Sequence, residues 1–185
     1  EEEITPKEYR FKGTIGIKNN EGEYIFKEGL GTYVGSICGY EAKPTYYGQD
    51  KQCAAGVHDY YESFLMGADS DTWNKFQSIK GNAIDYWNNN AALGTSGFKT
   101  SDEPSAGSVW VSSYSNAKDS NGNPYGHVMT VTKVEGNNVY VYECNGYTSK
   151  TCGNYVYTKD YLASKKGFMG YINIIEEGED WKKKK

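Results

Sequence analysis

The spacing of apolar residues changes from helical to strand-like along this 185-residue chain, and the change limits the folds open to it. Helical spacing predicts one helix that begins at Cys53 and stops at Gly67, and a second from Asn82 to Leu93. A polar stretch, residues 70–81, separates them. From Ser108 onwards the pattern alternates as in β-strands. Helices that precede antiparallel strands predict the α+β class, with the N-terminal helices packed on an antiparallel β-sheet.

The segment before the first helix has an alternating pattern of its own. Two alternating runs flank the turn-forming stretch Asn19 to Gly22, which predicts a β-hairpin. We therefore divide the chain into an N-terminal β-hairpin extension (residues 1–40), a main domain (residues 41–176) and a charged tail (residues 177–185).

Charge and hydrophobicity bear on the class of partner. The formal net charge is -4, which argues against nucleic acid. No apolar run is long enough to cross a bilayer, so no membrane span is expected.

The four cysteines, Cys38, Cys53, Cys144 and Cys152, allow several pairings. Cys144 and Cys152 flank a short polar stretch that can turn back on itself, and Cys38 can equally pair with either of them. A disulfide would indicate an oxidising compartment, whereas buried free thiols are the alternative. Cys53 is expected to stay reduced in every pairing.

Cys53 is the candidate nucleophile. A cysteine reacts as the thiolate, and the free N–H groups of a helix N-terminus or a nearby imidazolium lower its pKa. The same N–H groups can hold an oxyanion, to which the side chain of Gln52 can also donate. The chain has only two histidines, His58 and His127. His58 lies about one and a half helical turns after Cys53, so we interpret it as a surface or boundary residue and His127 as the base.

Strand parity predicts a carboxylate beside His127. If residues 127–132 and 138–143 form a hairpin with a five-residue loop, His127 lies opposite Glu143 and shares a face with it and with Asn145. A three-residue loop keeps that face but shifts His127 away from Glu143. Glu143 can accept the imidazole N–H and fix its tautomer, and Asn145 can be that orienting group instead or can support it.

Short motifs in this order resemble those of the CHAP domain, the cysteine- and histidine-dependent amidohydrolase/peptidase module of the NlpC/P60-like group. They are Gly48-Gln49 with Gln52-Cys53, Gly81-Asn82-Ala83 with Trp87, Pro104 with Gly107-Ser108-Val109, Gly126-His127-Val128, and Glu143-x-Asn145. Ser108 stands where the family has Asp, and an insert separates Gln49 from Cys53. The resemblance covers about residues 45 to 175.

The resemblance implies a papain-like CHAP fold that cleaves amide bonds of peptidoglycan, with residues 41–176 as a CHAP-like catalytic domain. By position it makes Cys53 the nucleophile, His127 the general base, Glu143 the orienting residue and Asn145 a support. No cofactor and no metal are expected. Some members of the family bind calcium next to the cysteine, but this chain offers only Asp50 before it and has Ala55 after it.

The resulting functional prediction is a bacteriolytic peptidoglycan hydrolase of the endolysin kind, secreted or phage-delivered, and active outside the cell or at the cell wall. It is either an N-acetylmuramoyl-L-alanine amidase or an endopeptidase. One alternative is a non-catalytic wall-binding or structural module; another is a cysteine amidase or transpeptidase acting on a different amide. A solvated tail is the simpler interpretation of the terminal lysines, which can also contact an anionic wall polymer: Lys182, Lys183, Lys184 and Lys185.

Overall fold

The computed structural model describes four short strands before residue 42, and then residues 52–65, 70–146 and 153–174. The elements in chain order are β1 (Ile15–Lys18), β2 (Tyr24–Lys27), β3 (Ser36–Ile37), β4 (Tyr40–Glu41), α1 (Cys53–Leu65), α2 (Ser70–Ile79), α3 (Ala83–Ala92), a 3-10 turn (Gly94–Ser96), β5 (Thr100–Ser101), β6 (Ser108–Ser112), β7 (His127–Glu135), β8 (Asn138–Glu143), β9 (Gly153–Thr158), α4 (Lys159–Ser164) and β10 (Phe168–Asn173).

A six-stranded antiparallel sheet forms the centre, in the order β5-β10-β6-β7-β8-β9. One core packs α1, α2 and α3 on the sheet and includes Tyr61, Phe76 and Val109. A second core contains Trp110 and Met129 from the sheet together with Leu162 of α4. Apolar residues alternate between the two cores along β6 and β7 because strand side chains point to opposite faces. The α+β prediction is confirmed.

The structure describes the strands of the predicted N-terminal hairpin but not the charged tail. β1 pairs with β2 antiparallel, with Ile17 opposite Ile25, as the alternating pattern predicts. The turn between these strands and the terminal lysines lie outside the described residues. The division of the chain into three regions stays a prediction. No helix in the described part of the chain is both long enough and apolar enough to cross a bilayer.

Helix α1 begins at Cys53, as predicted, and its first turn sets the backbone at the candidate site. The N–H of Gly56 donates to the carbonyl of Gln52 at 3.0 Å. Since the first donors of a helix have no intrahelical acceptor, the N–H groups of Cys53 and Ala54 are not used within the helix. Val57 and Tyr61 are buried on the sheet and anchor the helix there.

Two helices were not expected from the sequence. Residues 70–79 form α2, in which Phe76 and Ile79 are fully buried at helical spacing. Most of its other residues are polar, so the apolar pattern is too sparse to indicate a helix. α4 is a short helix capped by Thr158, whose side chain accepts the N–H of Tyr161 at 3.1 Å.

The hairpin that carries the candidate site differs from the five-residue loop predicted. Glu135 pairs directly with Asn138, so the turn has two residues, and Gly136 has the left-handed φ of 58° that such turns require. A β-bulge between Val131 and Lys133 then shifts the register by one residue. Beyond the bulge the register equals that of a three-residue loop.

Candidate active site

The bulge determines how His127 meets Glu143. Thr130 pairs with Tyr142, so continuing the register puts Met129 opposite Glu143 and His127 two residues further along. His127 and Glu143 still share a face, because a shift of two residues preserves it. Their side chains meet diagonally, with His127 Nε2 2.7 Å from Glu143 Oε2. The predicted pair therefore forms: His127 is shifted along the strand from Glu143, as predicted for a three-residue loop, and the two side chains bridge the shift.

Exposure falls from the nucleophile towards the carboxylate. Cys53 is half-buried, His127 is 7% exposed and Glu143 is 1% exposed. Cys53, at the start of α1, is therefore the most exposed of the three residues. The carboxylate lies in the interior, where water does not weaken its attraction for the imidazole.

The surroundings of Cys53 favour its thiolate form. Burial raises the pKa of its thiol, but the hydrogen bond and positive charge of His127 and the N–H groups of Val128 and Ala54 outweigh burial, so the net pKa lies below its ordinary value. Cys53 is a free cysteine, as predicted. Since Nε2 of His127 is on Glu143, Nδ1 is the ring nitrogen left for the sulfur.

His127 is poised as an imidazolium. Burial lowers its pKa, but the hydrogen bonds to Cys53 and Glu143 and the charges of both raise it, to about 9. The opposite shifts of the two pKa values favour transfer of the proton from Cys53 to His127, and so favour the thiolate–imidazolium pair over the neutral pair.

Asn145 and Gln52 form a second pair at the mouth of the site. Asn145 Nδ2 donates to Gln52 Oε1 at 3.1 Å, and both residues are exposed. Gln52 uses its oxygen in this bond, which leaves its N–H groups for an incoming oxygen atom. Asn145 thus lies against the predicted oxyanion donor, while Glu143 is the group on His127 Nε2.

Tyr157 is a further polar contact of the site that the sequence did not indicate. Its hydroxyl donates to Glu143 Oε1 at 2.6 Å inside the protein. Tyr157 pairs with Val139 and Glu143 with Gly153, so the two residues are four positions apart along the ladder. Their contact depends on both long side chains leaning along the strands, so strand register alone does not predict it.

Two neighbours restrict the space around His127 and Glu143. Trp110 and the imidazole are arranged edge to face with ring centroids 6.0 Å apart. Trp110 is fully buried, and its N–H donates to the carbonyl of Leu162 at 3.3 Å. Trp110 is thus a core residue and does not line a groove. Gly146 leaves no room for a side chain, because a Cβ there would overlap the Glu143 carboxylate.

His58 is buried, and the prediction of a surface or boundary position was wrong. It is 3% exposed and lies against Trp73 and Phe76 of α2, with ring centroids 5.5 and 6.4 Å away. The sequence pattern predicts no helix over residues 70–79, so it does not predict the helix that covers His58.

Cys144 is disulfide-bonded. Its partner lies outside the described residues, as do Cys38 and Cys152. Cys144 follows Glu143 directly and is buried in the core beneath α1, next to Gly56. Among the described residues, no group of three or more His, Cys, Asp or Glu side chains is arranged to hold a metal ion; Asp50 lies outside that part of the chain.

The sequence profile of the CHAP domain matches residues 42–145, more than half of the chain. The protein belongs to the CHAP domain family and has its α+β, papain-like fold. Cys53, His127 and Glu143 all lie inside the matched range.

Comparison with solved structures gives remote matches. One is the crystal structure of Ly7917, with 19% identity and a TM-score of 0.45; another is Ly7917 with the hydrolyzing product of MDP, with 21% identity and a TM-score of 0.41. Each match covers 66% of this chain and 53% of the other, so this chain spans about half the length of that protein. No curated protein matches the chain.

Proposed function

We propose that this protein is a peptidoglycan hydrolase that cleaves an amide bond of the bacterial cell wall through a Cys-His-Glu thiolate mechanism. The observation that carries the proposal is the continuous chain of contacts from Cys53 through His127 to Glu143. Membership in the CHAP domain family supports the choice of amide chemistry.

The geometry suggests the following sequence of steps. The Cys53 thiolate attacks the carbonyl carbon of the scissile amide, and the new oxyanion accepts hydrogen bonds from the Cys53 N–H and the Gln52 side chain. The tetrahedral intermediate collapses, and the amine leaves with the proton of His127. Neutral His127 then takes a proton from water, whose oxygen attacks the thioester and releases the carboxylic acid and Cys53.

Glu143 keeps the imidazole in the orientation and tautomer that these steps need, and its charge stabilises the imidazolium. An intact relay of three groups argues against the non-catalytic module, since a binding surface needs no thiolate. The disulfide at Cys144 supports action in an oxidising compartment, at the cell wall or outside the cell.

Mass spectrometry of purified peptidoglycan after digestion tests the proposal. An amidase releases glycan that ends in free lactyl carboxylates together with stem peptides that begin with alanine. An endopeptidase releases new amines within the stem or cross-bridge, and a transpeptidase produces joined peptides without net hydrolysis. We expect Cys53→Ala and His127→Ala to abolish release, and fragments that persist with Cys53→Ala would rule out this mechanism.

A further inference from the structure

The carboxylate of Glu143 is held from two sides. Its Oε2 lies 2.7 Å from His127 Nε2, and its Oε1 accepts the Tyr157 hydroxyl at 2.6 Å. Both distances are short for their type, as expected for bonds to an ionised group. Because the two contacts are made by different carboxylate oxygens, they fix the rotation of the Glu143 carboxylate about its Cγ–Cδ bond.

Burial makes this second contact consequential. Glu143 is 1% exposed and Tyr157 is 9% exposed, so bulk water cannot readily replace the hydroxyl. A buried carboxylate that loses a donor reorients towards another one, because an unsatisfied buried charge is costly. Reorientation would draw Oε2 away from the imidazole.

Tyr157 is itself fixed by packing. It extends from β9, in the core that contains Trp110 and Met129. Its ring stacks on Tyr161 of α4, with centroids 5.4 Å apart and an interplanar angle of 12°. The hydroxyl therefore occupies a defined place before any substrate binds.

We propose that Tyr157 is a positioning residue of the active site, which holds the Glu143 carboxylate against His127 through its Oε1 atom. The inference rests on the proposed function, because it adds a fourth member to that relay. Tyr157 does not touch the reacting atoms.

The first experiment needs no cell wall, so it is independent of the substrate. The rate of Cys53 alkylation by iodoacetamide is measured against pH, with the modified peptide quantified by mass spectrometry, because only the thiolate reacts. In Tyr157→Phe the Glu143 carboxylate is held less firmly and stabilises the imidazolium less. The pH midpoint of the alkylation rate should therefore rise by about 0.5–1 pH unit. An unchanged or lowered midpoint in the folded variant would contradict the proposal.

Tyr161→Phe is the matched control, since it removes a hydroxyl from the neighbouring stacked ring, which is 40% exposed. It should leave the midpoint unchanged. A double variant, Tyr157→Phe with Glu143→Gln, should have the midpoint of Glu143→Gln alone, because Tyr157 acts through that carboxylate. Additive shifts would show that the hydroxyl acts elsewhere.

Incorporation of 4-aminophenylalanine at position 157 covers the case in which Tyr157→Phe does not fold. Its N–H donor restores the contact, so the wild-type midpoint should return, and a displaced midpoint would overturn the proposal. With wall substrate, Tyr157→Phe should lower kcat by about 3- to 10-fold with little change in KM. Absence of wall cleavage in the wild type would reject the proposed function and leave the alkylation result valid.

Discussion

The side chains of Gln52 and Asn145 are hydrogen-bonded across the mouth of the site, although 93 residues separate them in the chain. Gln52 immediately precedes Cys53, the first residue of α1, and Asn145 follows β8, which ends at Glu143. The bond therefore connects the helix side of the active site to its sheet side.

Asn145→Gly should lower kcat by about 10-fold, because Gln52 loses the group that aims it at the oxyanion. Glycine retains the backbone, since Asn145 has a left-handed φ of 49°. Steady-state kinetics on solubilised peptidoglycan measure the effect.

Asn145→Ala separates the side chain from the backbone. It should lose the same activity and, in addition, about 1–2 kcal/mol of stability in denaturant unfolding, because alanine is strained at that φ. Adding Gln52→Ala to Asn145→Gly should cost no more than Gln52→Ala alone. A wild-type kcat in Asn145→Gly would mean that the bond does not position Gln52.

The pH dependence of kcat/KM should be bell-shaped with its alkaline limb near pH 9. The acid limb reports protonation of the Cys53 thiolate, whose pKa is lowered by His127. The alkaline limb reports loss of the imidazolium proton that the leaving amine needs, from a group whose pKa is raised to about 9.

Glu143→Gln should narrow that profile from both sides. Without the carboxylate the pKa of His127 falls, so the alkaline limb moves to lower pH. The imidazolium is then less stable and lowers the pKa of Cys53 less, so the acid limb moves to higher pH. Glu103→Gln, at an exposed acid paired with Lys159, is the control and should keep both limbs in place. An alkaline limb that stays near pH 9 in Glu143→Gln would reject the assignment of that limb to the pair.

Gly146→Ala should reduce kcat by about 100-fold or more and destabilise the fold by about 1–3 kcal/mol, since the added methyl overlaps the Glu143 carboxylate. Gly136→Ala is the control for backbone strain. It has a φ of 58° but open space around its Cβ, so it should lose only stability, about 1 kcal/mol. Equal activity in the two variants would show that the carboxylate can move without consequence.

Loss of the Cys144 disulfide should cost about 2–5 kcal/mol of stability, measured by thermal or denaturant unfolding with and without a strong reductant. Of Cys38→Ala and Cys152→Ala, the variant that removes the partner should reproduce the loss, and the other should not. Because Cys53 must be reduced and Cys144 oxidised, mild reductant should give the highest activity. An unfolding midpoint that is the same with and without reductant would contradict a stabilising role of the disulfide.

The predictable part of the site depends on local rules. A helix start at Cys53 follows from the pattern around it, and the shared face of His127 and Glu143 follows from parity, which any even shift preserves. Those two rules place the thiol at a helix start and the imidazole and the carboxylate on one face, but neither rule brings Cys53 to His127.

The remainder depends on contacts that no single segment encodes. The cover over His58 comes from α2, whose apolar residues are too few to indicate a helix. The contact of Tyr157 with Glu143 depends on the lean of two side chains, and the pairing of Asn145 with Gln52 depends on how a helix end meets a strand end. Each arises only once the tertiary structure is formed.

The bulge near Thr132 corrects the register that the turn gives to the hairpin. The two-residue turn at Gly136 alone would pair the strands one position out of phase with the observed register, turning His127 to the opposite face from Glu143. One extra residue restores the phase, and Thr132 donates its hydroxyl to the Tyr140 carbonyl at 3.1 Å beside it. A turn lengthened by one residue can therefore be compensated by deleting one residue at the bulge, so the distal end of the hairpin can be re-engineered without disturbing the chemistry at the other end.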